Sequence, residues 1–297
     1  MSAAAEALHL RRSFLFVPAS EERKLAKAPT LAADAVILDL EDGVAAARKA
    51  EARALLQQFL PGRPATGIEW LVRLNAFDTP HFQPDLEAAL RAGPEALVIP
   101  KVDSPDVLRQ VEERLAAAEP VLGRERGSVR LFALIESARG LLAAREIAAA
   151  TPRLQGLMLG HVDLCADLGI TAGPAGGGIL LHARCQLVLA ARAAGLDAVD
   201  TIFLNVKDAE GLRAEATQAV GLGFAGKLAI HPGQLPIIHA AFTPDAERVA
   251  RAERILEAWR QAQAEGRGVC ALDGLLIERP VVEAEQRILR RGRHLGA

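Results

Sequence analysis

Two carboxylates occupy positions in the sequence from which they could bind one metal ion. Glu136 closes the apolar stretch RLFALIE at 130–136, and Asp163 follows the next such stretch, GLMLG at 156–160. Neighbouring parallel strands lie about 5 Å apart, so both carboxylates could reach one ion if these stretches pair. Two carboxylates with water and substrate oxygens suit Mg²⁺, which keeps much of its hydration. The alternative is that each carboxylate caps a helix or pairs with an arginine.

An arginine at a similar position could hold an anion. Arg73 and Asn75 end the stretch WLVRLN. A guanidinium binds a carboxylate or phosphate through two parallel hydrogen bonds. The preceding apolar stretch ends in Asp39, Glu41 and Asp42. A salt bridge from the arginine to these acids is therefore the alternative, and we interpret the acids as groups that orient other side chains rather than as ligands.

Three further side chains could take part in catalysis. Lys101 follows the stretch ALVIP and could form a Schiff base, although an ordinary ion pair is the preferred interpretation. His161 and His231 could act as acid–base groups or contact a substrate, but either could equally make a structural hydrogen bond. The glycine-rich segment GPAGGG at 173–178 matches no phosphate-binding motif, so we expect a mobile loop.

Eight short apolar stretches are typical of buried parallel strands, because most of them are continuous rather than alternating. They are SFLFV at 13–17, AVILDL at 35–40, WLVRLN at 70–75, ALVIPK at 96–101, RLFALIE at 130–136, GLMLG at 156–160, VDTIF at 199–203 and KLAIHP at 227–232. The segments between them are rich in Ala and Leu with helical periodicity. Eight β-α units predict an α/β fold, a (β/α)₈ TIM barrel, with a doubly wound sheet as the alternative.

The polar side chains support the barrel independently. Active sites of such barrels lie at the carboxyl ends of the strands, and almost every stretch here carries polar residues at that end. We predict two domains, a barrel over 1–240 and a C-terminal helical extension over 241–297. The extension either caps its own barrel as a lid or reaches a neighbouring subunit as an arm, and the sequence leaves both open.

Composition limits the partners and the location that we expect. In 297 residues, 51% are apolar and 24% are charged, which excludes a disordered chain. The 35 basic and 37 acidic side chains leave a net charge of −2, so we expect neither nucleic acid nor a membrane surface as a partner. Cys165, Cys185 and Cys270 have no zinc spacing. We expect no signal peptide or membrane span, and a cytoplasmic protein.

The order of these motifs resembles the HpcH/HpaI aldolase superfamily, and within it the citrate lyase β-subunit-like (CitE-like) branch with malyl-CoA and citramalyl-CoA lyases. The matching segments are RRSFLFVPAS, DAVILDLEDGV, WLVRLNAFDTPHFQPDL, ALVIPKVDSP, LFALIESARGL, GHVDLCADLG, GLDAVDTIFLNVKDAEGL, GFAGKLAIHPGQ and DGLLIERPVVEAEQ. They extend over nearly the whole chain. The combination of ILDLEDGV and GFAGKLAIHPGQ at this separation is highly specific.

The resemblance implies Mg²⁺ held by Glu136 and Asp163, with Arg73 on the carboxyl or carbonyl oxygens of the substrate. It implies cleavage of a carbon–carbon bond in a 3-hydroxyacyl-CoA thioester, such as malyl-CoA or citramalyl-CoA, through an enolate. It also implies a homo-oligomer, a trimer or a hexamer. Three alternatives stay open: a citrate lyase β subunit acting on a citryl carrier protein, a class II aldolase acting on free 2-oxo acids, and a malyl-CoA-type thioesterase.

Two further sets of residues follow from the resemblance. Arg23, Lys24 and Lys27 would lie near the CoA phosphates. Members that cleave CoA thioesters carry an Asp in a G-x-M-I/V-D-x-P motif, which a neighbouring subunit supplies as the acid–base group. The corresponding segment here is GLLIERP, so Glu278 stands in place of that Asp. A displacement of about 1 Å can cost about 10²-fold in rate, so either the site is adjusted or the activity differs. His161 replaces a small or polar neutral residue, which could mark a different substrate.

Overall fold

The computed structural model describes residues 10–173 and 177–295. Residues 174–176, within the glycine-rich segment for which we expected a mobile loop, lie outside the described residues. No helix in the described part of the chain is long and apolar enough to cross a membrane. The chain divides into two compact units, one formed by Arg11–Ile238 and one that begins at His239.

The first unit is a closed barrel of eight parallel strands with helices between them, which confirms the predicted (β/α)₈ fold. The strands are β1 (Ser13–Pro18), β2 (Ala35–Asp39), β3 (Glu69–Arg73), β4 (Ala96–Ile99), β5 (Arg130–Ile135), β6 (Leu154–Leu159), β7 (Asp197–Asp200) and β8 (Gly226–Ala229). The helices up to residue 242 are α1 (Glu22–Lys27), α2 (Lys49–Phe59), α3 (Phe82–Ala92), α4 (Pro105–Val121), α5 (Ala138–Leu142), α6 (Ala144–Ala148), α7 (His161–Asp167), α8 (Gly178–Ala193), α9 (Ala209–Leu222) and α10 (Leu235–Phe242). The pairing of β1 with β8 closes the barrel.

The interior of the barrel is filled with apolar side chains. The rings of Phe14 and Phe132 pack edge to face with their centroids 5.6 Å apart. Gly156 leaves room for this pair, because a Cβ there would lie 2.9 Å from the Phe132 ring and 2.8 Å from the carbonyl oxygen of Asp197. A filled interior means that a ligand has to bind at an end of the barrel rather than inside it.

The seventh strand begins and ends earlier than the apolar pattern predicts. We expected it at 199–203, whereas β7 is Asp197–Asp200 and Thr201 lies beyond its end. The carboxylate of its last residue is buried and pairs with Arg184 Nε at 2.9 Å and with Lys227 Nζ at 2.6 Å. The predicted stretch already contains Asp200, and it ran past the strand because Ile202 and Phe203 are apolar and largely buried, which an apolar pattern alone does not distinguish from strand residues.

Glu119, near the end of α4, is a buried carboxylate with several hydrogen-bond donors. It accepts hydrogen bonds from Arg153 Nη1 at 2.6 Å and Nη2 at 2.7 Å, and from the Val129 backbone N–H at 3.0 Å. Burial by itself raises the pKa of Glu119, but these hydrogen bonds outweigh it and lower the pKa to about 2. Such a group stabilises the fold above its unfolded pKa of 4.5, and this stabilisation is lost as the pH falls towards 2.

We therefore expect Glu119→Gln to lower the free energy of unfolding at pH 7 by about 3 kcal/mol, because the variant loses the ion pair but keeps Arg153 buried. The difference from the wild type should shrink as the pH falls below 4.5. Urea unfolding at several pH values measures it. Glu113→Gln, on the exposed side of the same helix, is the matched control. A destabilisation that stays constant between pH 7 and pH 3 would contradict the argument.

The second unit consists of helices and a short hairpin. Its elements after α10 are α11 (Ala246–Ala264), β9 (Cys270–Leu272), β10 (Leu275–Ile277) and α12 (Arg279–Leu295). Asp273 and Gly274 join the two antiparallel strands with positive φ angles of 51° and 79°, as the Asp-Gly turn of a tight hairpin requires. Ile255, Ile277 and Val282 form a small core. The apolar run of the extension is therefore a hairpin that presents the following residue, Glu278, at its end.

Candidate active site

A cavity of about 700 Å³ opens at the carboxyl ends of the barrel strands, the end at which the sequence places the polar side chains. The residues at or just beyond strand ends that line it are Pro18, Asp39, Arg73, Glu136, Gly160, Thr201 and Ile230. The strands thus bring together side chains that are far apart in the sequence. Active sites of TIM barrels occupy this position.

Arg73 is held in one orientation by two acids. Its Nε and Nη2 donate to the two carboxylate oxygens of Asp39, both at 2.7 Å, and its Nη1 lies 3.0 Å from Glu41 Oε2. The Phe16 ring lies 4.7 Å from the guanidinium carbon. A guanidinium has five N–H groups, so two of them remain for a substrate oxygen once these described contacts are made. Of the three acids that we interpreted as orienting groups, Asp39 and Glu41 contact this arginine, whereas Asp42 lies 3.9 Å from Lys101 Nζ.

Lys101, just after β4, links Glu41 to Glu136, which follows β5. Its Nζ lies 3.1 Å from Glu41 Oε1, and its backbone N–H donates to Glu136 Oε2 at 2.9 Å. The φ of 52° is uncommon for a residue with a side chain and directs this N–H to the carboxylate. Burial tends to lower the pKa of Lys101, but Glu41 raises it overall. A nucleophilic lysine needs the opposite shift, so the structure favours the ion pair over a Schiff base.

Glu136 and Asp163 lie together at the cavity. Glu136 directly follows β5, and Asp163 is in the first turn of α7. Burial raises the pKa of Glu136 to about 8, and the charges of Glu41 and Asp163 add to the effect, whereas Arg73 lowers it. A Cβ at Gly160 would collide with the Glu136 carboxylate, so a glycine is needed beside it. A buried carboxylate beside other acids is costly to ionise unless a cation binds.

The chemistry of these side chains fits Mg²⁺. Among the described residues, no group of three or more His, Cys, Asp or Glu side chains could hold a metal ion. Mg²⁺ does not need such a group, because it is usually bound by one or two carboxylates and completes its shell with water and substrate oxygens. Glu136 and Asp163 supply two carboxylates, and both also line a neighbouring cavity of about 410 Å³.

Two of the three basic residues expected near the CoA phosphates line the main cavity. Lys24 and Lys27 do so from α1, where their spacing of three places them on one face. Arg23 is exposed and is not among the residues that line the cavity. In the second unit, Glu278 is exposed between β10 and α12.

The two histidines that the sequence singles out also line the cavity. His231 Nδ1 accepts a hydrogen bond from the Gly233 N–H at 3.1 Å. His161 is buried, which lowers its pKa, and its Nδ1 lies 2.5 Å from Thr201 Oγ1. Sequence reasoning missed Thr201, because a threonine carries no distinctive signal and the strand before it was placed too late.

Asn75 does not face the cavity. It is buried, its Nδ2 donates to the Leu40 carbonyl at 2.8 Å, and its Oδ1 accepts from Lys49 Nζ at 2.7 Å. Of the two polar residues that end WLVRLN, only Arg73 is therefore available to a ligand in this cavity.

The fold and this site define a class of barrel enzyme in which an acidic pair and an arginine share one cavity at the carboxyl ends of the strands. The family described as HpcH/HpaI aldolase/citrate lyase matches residues 12–232, and the chain belongs to this family. It is a carbon–carbon lyase by this membership. The resemblance to the CitE-like branch is likewise confirmed.

Relatives that match this chain over nearly their whole length carry the names of different activities. Citrate lyase subunit beta of Haemophilus influenzae is 37% identical over 286 residues, which cover 96% of this chain and 98% of that protein. The (3S)-malyl-CoA thioesterase of Cereibacter sphaeroides is 42% identical over 284 residues, with 95% of each chain covered. The crystal structure of CitE from Mycobacterium tuberculosis in complex with magnesium, acetoacetate and coenzyme A has a TM-score of 0.79 and 36% identity, covering 96% of this chain and 100% of that one.

Proposed function

We propose that the protein is a Mg²⁺-dependent lyase that cleaves a carbon–carbon bond of a 3-hydroxyacyl-CoA thioester, such as malyl-CoA or citramalyl-CoA. One observation carries the proposal: a single cavity is lined by Glu136, Asp163, Arg73, Lys24 and Lys27. The carboxylates suit Mg²⁺, the arginine suits the carboxylate of an acyl group, and the lysines suit phosphates. The CitE structure with magnesium, acetoacetate and coenzyme A supports the same set of ligands.

The residues divide the chemistry between them. Mg²⁺ held by Glu136 and Asp163 would supply a Lewis acid for the oxygens of the acid end of the substrate. Arg73, fixed by Asp39, binds the substrate carboxylate and holds the bond to be broken in a reactive orientation. Glu278 takes the proton from the substrate hydroxyl and returns it to the enolate carbon.

We propose that Glu278 comes from a neighbouring subunit of a homo-oligomer, a trimer or a hexamer, with 241–297 acting as an extension of a barrel formed by 1–240. Beside Glu278, the hairpin leaves Leu275 and Leu276 exposed by 37% and 58%. Apolar side chains that meet solvent on a short hairpin are suited to burial in a protein interface. This exposure supports an arm that reaches another protein surface.

Isothermal titration of CoA and acetyl-CoA into the Mg²⁺-loaded, full-length protein tests the proposal. We expect saturable binding of both, followed by formation of acetyl-CoA and a 2-oxo acid when malyl-CoA or citramalyl-CoA is supplied. No binding at millimolar ligand would overturn the CoA assignment. It would leave a free 2-oxo acid or a citryl carrier protein as the substrate, and copurification with partner subunits would identify the carrier-protein case.

A thioesterase is the second candidate. It is favoured by the 42% identity with the (3S)-malyl-CoA thioesterase and by the glutamate at position 278, which replaces the Asp expected of lyases that use CoA thioesters. The products separate the two reactions. Hydrolysis releases free CoA thiol and a hydroxy acid, whereas carbon–carbon cleavage releases acetyl-CoA and a 2-oxo acid. A thiol-specific colour reaction measures hydrolysis and an assay for the 2-oxo acid measures carbon–carbon cleavage. Run on the same sample, they give the ratio of the two reactions.

Glu278→Ala is expected to lower kcat for thioester cleavage by about 10²-fold or more, because general acid–base groups contribute about 10²- to 10⁴-fold. Glu278→Asp should preserve or raise lyase activity if this side chain moves the proton. Steady-state kinetics with malyl-CoA measures both, and Glu253→Ala on the exposed side of α11 is the control. An unchanged kcat in Glu278→Ala would show that the arm supplies no acid–base group to the reaction.

A further inference from the structure

His161 begins α7 and is a buried side chain on the wall of the 700 Å³ cavity. Thr201, at the end of β7, contacts it twice. Its hydroxyl accepts the His161 backbone N–H at 3.2 Å and lies 2.5 Å from the ring Nδ1. Thr201 is itself buried, so its hydroxyl hydrogen needs an acceptor inside the protein.

The hydrogen-bond accounting selects one tautomer of the imidazole. Among the described contacts of Thr201 Oγ1, the backbone N–H is a donor, so only His161 Nδ1 is available to accept the hydroxyl hydrogen. Nδ1 therefore carries no hydrogen, and the hydrogen of the neutral ring is on Nε2. No contact within the described residues uses Nε2, which leaves this N–H free to bind a ligand in the cavity that the ring lines.

Thr201 is held firmly by a buried ion network. Lys227 Nζ donates to the Thr201 carbonyl at 2.8 Å and to Asp200 at 2.6 Å, and Arg184 also pairs with Asp200. These charged side chains are buried, so the backbone at the end of β7 cannot shift without breaking ion pairs in a low-dielectric environment. The ion network therefore fixes the position of the Thr201 hydroxyl that orients the imidazole.

We propose that His161 donates its Nε2–H to the thioester carbonyl oxygen of the substrate, and that Thr201 is the positioning residue that fixes the tautomer. The inference rests on the proposed function. The acid end of the substrate already has Arg73 and the carboxylates that fit Mg²⁺. The donor of His161 is uncharged, and the cavity that its ring lines also has apolar lining, to which Leu159 and Val162 contribute, so this donor suits a neutral carbonyl rather than a carboxylate.

The Nε2–H of His161 would stabilise the negative charge that develops on the thioester oxygen during cleavage. During cleavage the substrate hydroxyl gives its proton to Glu278, and the O–H electron pair forms the new carbonyl group. The electron pair of the breaking carbon–carbon bond becomes the enolate, and its charge resides on the thioester oxygen. The enolate carbon then takes back one proton, so protons and electrons balance. An N–H aimed at this oxygen stabilises the enolate more than the neutral thioester, which lowers the barrier.

Nitrogen-15 NMR of the imidazole tests the tautomer without any substrate. We expect protonated Nε2 and unprotonated Nδ1 in the wild type and in Thr201→Ser, which keeps the hydroxyl. Thr201→Val should lose the preference for this tautomer. A wild-type ring protonated at Nδ1 would overturn the proposal.

Kinetics of His161→Met and His161→Gln test the contact with the substrate. His161→Met has no donor and should lower kcat about 10²-fold with little change in KM, as for loss of one oxyanion donor. His161→Gln keeps an N–H of similar reach and should recover part of the rate. Deuterium exchange into the methyl group of acetyl-CoA needs the enolate but no carbon–carbon cleavage, and it should fall by the same factor in His161→Met. His182→Met, an exposed histidine on α8, is the control.

The outcomes distinguish this inference from the proposed function. A wild type that neither cleaves nor exchanges any CoA thioester would overturn the proposed function and, with it, the assignment of the donor. A wild type that does both, with His161→Met unchanged or altered only in KM, would overturn the inference alone. Circular dichroism and Mg²⁺ titration of each variant exclude a loss of fold or metal binding as the cause of a lower rate.

Discussion

Glu136→Gln is expected to abolish Mg²⁺ binding and to lower thioester cleavage by about 10³-fold or more. The amide has nearly the same shape but no charge, and Asp163 would be left as the only carboxylate of the pair. Polarisation of the substrate by a metal ion contributes several kcal/mol to stabilisation of the transition state, and each 1.36 kcal/mol corresponds to about tenfold in rate. The buried position of Glu136 leaves little room for another side chain to take over.

Calorimetric titration of Mg²⁺ into the purified variant provides a readout that does not depend on turnover. Glu146→Gln makes the same chemical change at an exposed position on α6 and should leave metal binding and kcat unchanged. The fold should survive Glu136→Gln, because burial and the acids around it make an ionised carboxylate at this position costly in the absence of a cation. Unaltered Mg²⁺ affinity in the variant would remove Glu136 from the metal site.

Arg73→Lys is expected to lower kcat/KM by about 10³-fold, even though the charge is conserved. The planar guanidinium pairs with both oxygens of Asp39, contacts Glu41 and packs against the Phe16 ring. An ammonium group is a compact charge that cannot make the paired contacts and bind a substrate carboxylate at the same time. Lysine keeps the charge but loses the paired hydrogen bonds, and a hydrogen bond to a charged group is worth about 1.5–3 kcal/mol, so the substrate carboxylate is held weakly and in several orientations.

Mg²⁺ binding separates this effect from general damage to the site. We expect Arg73→Lys to bind Mg²⁺ nearly as well as the wild type, because the arginine is not a ligand, and to lose affinity for a substrate analogue such as acetoacetate. Arg139→Lys on α5 is the matched control, since its guanidinium is exposed. Wild-type kcat/KM in Arg73→Lys would show that the arginine serves only the salt bridge to Asp39.

Local patterns in the amino-acid sequence predict the architecture and bring the main candidate site residues to one end of the barrel. Eight continuous apolar stretches predicted the barrel, because parallel strands that are covered on both faces need apolar residues at successive positions. Polar residues at the stretch ends predicted that Arg73, Glu136 and Asp163 line one cavity, since all strands of such a barrel end on the same side. These inferences depend on local pattern and on a topology that has one active end.

Which polar side chains contact each other depends on how distant parts of the chain meet in the fold. The pairing of Arg73 with Asp39 and the contact of His161 with Thr201 join residues that are 34 and 40 positions apart in the chain. The pattern also placed β7 too late and gave no reason to single out Thr201. The sequence offered the salt bridge from Arg73 to the acids after β2 only as an alternative, and it gave no sign of the contact between His161 and Thr201. A buried polar group is recognised by its partner across the fold rather than by its neighbours in the sequence.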